Sequence, residues 1–134
     1  MDDLAFIKSR IAAFAGYADE AARYLSDRQV RAFVGETLGM LHERLEGKLD
    51  EGLSAPLERI LLRCEFSDPK FITALQRRSL SGDDVQRLHA ADRELIESAI
   101  TLAQTSLGMT PGDLVERMGE LEALFDRRYA TVCA

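Results

Sequence analysis

Cysteine and histidine are scarce in this chain, with two of each among 134 residues. Cys64 and Cys133 are too few for a disulfide framework or a zinc quartet. Cys64 falls on an apolar helical face and reads as a small core residue, whereas Cys133 is penultimate and expected to fray. Two histidines exclude a multi-histidine iron site. A di-iron carboxylate bundle needs Glu-x-x-His twice, but Gly39 and Gln86 stand three residues before His42 and His89. His42 with Glu46 and His89 with Asp92 make too sparse a set to read as a metal site, so none is expected.

Other signals are missing as well. No segment alternates Val, Ile or Thr with polar residues, and no Asn-Gly or Asp-Gly pair marks a hairpin. The nine glycines are scattered and form no phosphate-cradling loop or dinucleotide fingerprint. No serine sits on a strand-to-helix elbow. These absences leave no catalytic residue and no cofactor to expect. Basic residues run no longer than the pairs Arg77-Arg78 and Arg127-Arg128, which argues against nucleic acid as a partner. There is no charged-then-apolar opening and no apolar run of about 18 residues, so neither export nor a membrane is expected, and the cytoplasm is the simplest location.

What is present is an ordinary globular mix, 46% apolar and 30% charged, in 14.9 kDa. That suits a single helical domain over residues 1–134. The net charge is −6, divided evenly between the halves: 12 acidic and 9 basic residues in 1–67, 11 and 8 in 68–134.

Apolar spacing of three and four predicts helices nearly throughout. The first is expected over 3–25, on Leu4, Ile7, Ile11, Phe14, Ala18, Ala21 and Leu25, with Gly16 as a point where it could break. The second is expected over 27–46, opened by a capping box of Ser26 with Gln29. Short helices follow over 55–66, capped by Ser54, and 69–79, opened by Asp68-Pro69. Long ones follow over 82–107 and 111–129. Ser81 with Asp84 and Thr110-Pro111 write their starts, and Gly108 is a candidate left-handed stop. The fold class this implies is all-α: an antiparallel four-helix bundle with a short helical hairpin inserted between the second and third long helices. Ala32, Gly35 and Gly39 on the second helix invite close approach by the alanine-rich first helix.

Two places break the helical rules. Asp92 falls amid the apolar arc of Leu88, Leu95, Ile96, Ala99, Leu102 and Ala103, with His89 on its edge. A carboxylate there must pair, protonate, meet water or line a cavity. His89 and Arg44, which intrudes on the apolar arc of the second helix, are its candidate partners. Phe6, Tyr17 and Tyr24 form a second apolar seam on the first helix, more than one neighbour can cover, and rich in residues that interfaces favour.

The functional expectation is a non-catalytic protein-recognition module. It would dock a protein partner, or a second copy as a homodimer, through Phe6, Tyr17 and Tyr24, with acidic groups steering a basic partner. The alternative is a small-molecule sensor or enzyme with an interhelical pocket around Asp92, His89 and Arg44.

Overall fold

A computed structural model describes residues 1–45, 47 and 51–133. Helix makes up 83% of it, and no strand occurs among the described residues. The α-helices are α1 (Asp3–Arg10), α2 (Arg23–Arg44), α3 (Glu51–Glu65), α4 (Pro69–Arg77), α5 (Gly82–Thr105) and α6 (Pro111–Cys133). Short 3₁₀ turns at Glu20–Ala22 and Ser106–Gly108 precede α2 and follow α5.

The largest departure from expectation is at the start. The helix expected over 3–25 stops at Arg10, and residues 11–19 run as a non-helical strap. Alanine favours helix only weakly per residue, and tertiary contacts override it. Here Phe14 and Tyr17 are driven into the core, and Gly16 takes φ +86°, which L side chains rarely adopt. Side chains satisfy the strap's backbone groups. Ser26 Oγ donates to Gly16 O (2.7 Å), Arg23 Nε donates to Tyr17 O (2.9 Å), and Tyr17 N–H donates to His89 Nε2 (3.2 Å). Ser26 is therefore inside α2 and tied to the strap, and the expected capping box with Gln29 does not form. Helix α2 begins four residues earlier than expected; its expected end at Glu46 lies outside the described residues.

Helices α2, α5, α6 and α3 pack in a closed circuit, each against the next, while α1 lies on α5 and α4 covers α6 and α2. The residues expected to form an inserted hairpin thus include one wall of the core: α3 buries Leu53, Leu57, Ile60 and Cys64. It occupies the role assigned to a long first helix, which the strap makes impossible. Gly35 is accordingly close to α3, where a Cβ would meet Cys64 Cβ at 3.1 Å, rather than to an alanine-rich neighbour.

The other helix ends follow their end chemistry more closely. Ser81 and Asp84 form the reciprocal capping box of α5. Asp68 caps α4 by accepting from Lys70 N–H, and Thr110 Oγ1 accepts from Asp113 N–H at the start of α6. Ser54 does not cap α3, which starts three residues before it. Gly108 closes a 3₁₀ turn without left-handed φ, since among the described residues only Gly16 and Gly47 have positive φ. No helix is long and apolar enough to cross a membrane, among the described residues.

Candidate functional site

The circuit of helices encloses a polar cluster. Asp92, from the middle of α5, is fully buried, as its place in the apolar arc implies. Neither expected partner holds it. His89 lies one turn earlier but faces the strap, and Arg44 is exposed, donating to Ala103 O (2.8 Å) at the far end of α5. Asp92 instead accepts from Arg128 of α6, Nε to Oδ1 at 2.6 Å, and from the Tyr17 hydroxyl on its other oxygen.

Arg128 joins a second carboxylate. Its Nη2 donates to Asp27 Oδ1 (2.6 Å) on α2, and Asp27 Oδ2 accepts from Arg31 Nε (2.9 Å) one turn on. Arg31 Nη1 reaches Cys64 O on α3 (3.0 Å). Strap, α2, α3, α5 and α6 are therefore joined through one chain of charge-assisted bonds. Arg128 is 3% exposed and Arg31 7%. Two cations face two anions, so each buried charge has the partner it needs.

The cluster's protonation follows from burial and pairing. Burial pushes the Asp92 carboxyl up from its ordinary range, opposed by the Arg128 cation and the Tyr17 hydroxyl. Burial, then the neighbouring Asp92 charge, drives the Tyr17 phenol well above its usual value, so it remains a donor. Burial disfavours the Arg128 cation, but the attraction of Asp92 and Asp27 outweighs this, and the guanidinium stays charged. Burial raises the Cys64 thiol to about 12 despite Arg31 nearby, which disqualifies it as a nucleophile.

His89 has a different part. Its Nε2 accepts from the Tyr17 backbone, so that nitrogen carries no proton. Burial lowers its pKa; Asp3 on α1 and Asp2, which caps that helix, pull the other way, and Lys8 adds to the lowering. In the unfolded chain the imidazole protonates near its ordinary value of about 6.5. The folded chain resists protonation until lower pH. The stability this neutral imidazole supplies is full above the ordinary value and is lost as pH falls through the window below it. Urea unfolding at pH 7.5 and pH 5.5 will show an acid-side loss that is smaller in His89→Gln, which keeps an acceptor but does not titrate. Equal losses in both proteins will show that the strap does not sense His89.

The aromatic seam does not exist as a surface. Tyr17 is wholly buried, because the strap carries it inward. Phe6 is half-buried, with the guanidiniums of Arg93 (4.7 Å) and Arg10 (5.7 Å) over its ring. Tyr24 is 42% exposed on α2, a separate element.

Sequence reading missed a groove of about 580 Å³ bounded by α2, α3, α4 and α6. Arg31 and Arg128 line it from the cluster, together with Arg63, Phe71 and Phe125. Arg128 stacks near Phe71 (5.3 Å) and Phe125 (6.0 Å). At the rim, Leu62 is 54% and Phe66 66% exposed. Against three arginines the lining holds one acid, Asp68. The buried edge of this groove is thus donor-rich and its rim apolar.

No family model matches the chain, and no curated protein and no solved structure shows significant similarity to it.

Proposed function

We propose that the chain is a non-catalytic recognition domain whose docking surface is the groove between α3, α4 and α6. The occupant is a segment of a partner protein that presents an apolar side chain beside an acidic one. The observation that carries this reading is the exposure of Leu62 and Phe66 at the mouth of a groove lined by Arg31, Arg63 and Arg128. Large apolar side chains left in water next to a concave surface are a common mark of protein contact. The lining presents guanidinium donors, with Arg31, Arg63 and Arg128 each paired to an aspartate, in a chain whose net charge is −6. Those donors favour a partner that presents an acceptor carboxylate rather than the basic one that overall charge suggests. The flank of Phe6, Tyr17 and Tyr24 does not serve, since its central residue is in the core.

Selection of displayed random peptides on the immobilised protein tests the reading. Enrichment of peptides pairing an aromatic or aliphatic residue with Asp or Glu is expected, and Phe66→Asp should abolish it while leaving the helical spectrum unchanged. Failure to enrich any peptide, or enrichment indifferent to Phe66→Asp, overturns it. So does a molar mass of two chains by light scattering that falls to one in Phe66→Asp, because a second copy would then own the groove.

A further inference from the structure

The inner end of the groove has a chemistry of its own. Arg128 holds its two aspartates with Nε and Nη2; Nη1 takes part in neither bond. Arg31 uses Nε for Asp27 and Nη1 for Cys64 O, and Nη2 takes part in neither. Both guanidiniums are more than nine-tenths buried, both line the groove, and both are fixed to the two oxygens of one carboxylate, Asp27. Their positions are therefore set by the fold before any ligand arrives, which lowers the entropic cost of binding. One nitrogen of each guanidinium is left, and an N–H of a guanidinium to a carboxylate oxygen is a charge-assisted bond. Phe71 and Phe125 stand beside Arg128 and leave an apolar space next to the donors.

We infer that the unused donor edges of Arg31 and Arg128 form a carboxylate-binding subsite, and that the ligand group it takes is a carboxylate borne on an aromatic or alkyl stem. This rests on the recognition reading of the same groove and specifies its acidic element. A bare anion does not fit as well, because the space beside the donors is walled by Phe66, Phe71 and Phe125 and offers it nothing. The pair of aspartates already neutralises the two guanidiniums, so the ligand is held by directed hydrogen bonds and apolar contact rather than by net charge.

The test uses 3-phenylpropionate, its uncharged amide 3-phenylpropionamide, and inorganic phosphate, each titrated into the full chain and followed by NMR, including the arginine Nε–H signals. The acid is expected to shift Arg31 and Arg128 together with groove residues, at least about tenfold more tightly than the amide or phosphate, the scale of a charge-assisted bond. Arg31→Gln should weaken the acid by about the same factor. Because Arg31 also supports the fold, Phe66→Ser at the exposed rim is the second variant, and it should weaken the acid severalfold with the spectrum of the core unchanged. Equal binding of acid and amide, equal binding of phosphate, shifts confined to other surfaces, or no shift at all overturns the inference. The two readings fail separately. Acid binding without any selected peptide removes the protein partner and leaves a site for small carboxylic acids. Selected peptides with no acidic preference retain the docking groove and remove the subsite.

Discussion

Arg128→Met will lower the unfolding free energy by about 3–5 kcal/mol, the usual effect of removing one partner from a buried ion pair. Two carboxylates depend on this side chain, and both are wholly buried. Asp27 keeps Arg31 when Arg128 is lost. Asp92 keeps only the Tyr17 hydroxyl and must take up a proton or admit water. The double variant Arg128→Met, Asp92→Leu removes both members of the inner pair, and it should recover at least half of the loss, because an apolar replacement of a buried pair is often neutral. Urea denaturation of the three proteins at pH 7.5 measures this. A single variant within about 1 kcal/mol of the parent would mean that water already shares these carboxylates, contrary to their burial. Asp92→Asn should alter stability and, by freeing Arg128 of one of its two aspartates, tighten the binding of an acidic group in the groove, although Asp92 does not line it.

Gly16→Ala should cost close to the top of the range of about 1–3 kcal/mol that strained backbone imposes, and lower the midpoint of thermal unfolding by roughly 10 °C. Two effects act together. At φ +86° a Cβ is strained, and it would stand 2.7 Å from His89 Nε2, the atom that accepts from Tyr17. The strap then has to leave the acceptor that fixes it, or His89 has to leave the core. Gly39→Ala is the natural contrast: it lies within α2 with nothing within 4 Å of the added carbon. There the ordinary helix preference applies, and a gain of about 0.5–1 kcal/mol is expected. Differential scanning calorimetry of the two variants reads both signs. A Gly16→Ala protein as stable as the parent would show that the strap can lie elsewhere.

The all-helical class was legible because apolar spacing and end chemistry agree over most of the chain. Ser81 with Asp84, Asp68-Pro69 and Thr110-Pro111 behave locally, so local reading finds them. The strap was not legible for the opposite reason. Residues 11–19 are held by Ser26, Arg23 and His89, contacts that become neighbours only after folding. The position of Asp92 in the core was readable from α5 alone, but its partners, Arg128 and Tyr17, are far from it in sequence. The better signal was present on α6. The stripe Leu114, Met118, Leu121, Phe125 continues at the same spacing through Arg128 to Val132, and all six are buried. Asp27 likewise continues the stripe of Val30 and Val34 on α2. A charge that keeps step with an apolar stripe is as informative as one that interrupts it. The groove could not be read, since its lining comes from four helices whose arrangement depends on where the first one breaks.

The polar cluster also constrains the order in which the chain can be made. Arg128 bonds partners 101 and 111 residues earlier, Asp27 and Tyr17. During synthesis these earlier residues leave the ribosome well before α6 exists, and until it docks their acidic partners have no buried cation from that side. Until α6 docks, burying Asp92 leaves its carboxylate without a cation, whereas Asp27 still has Arg31. It is α6 that brings the cation with which Asp92 can be buried as a charge.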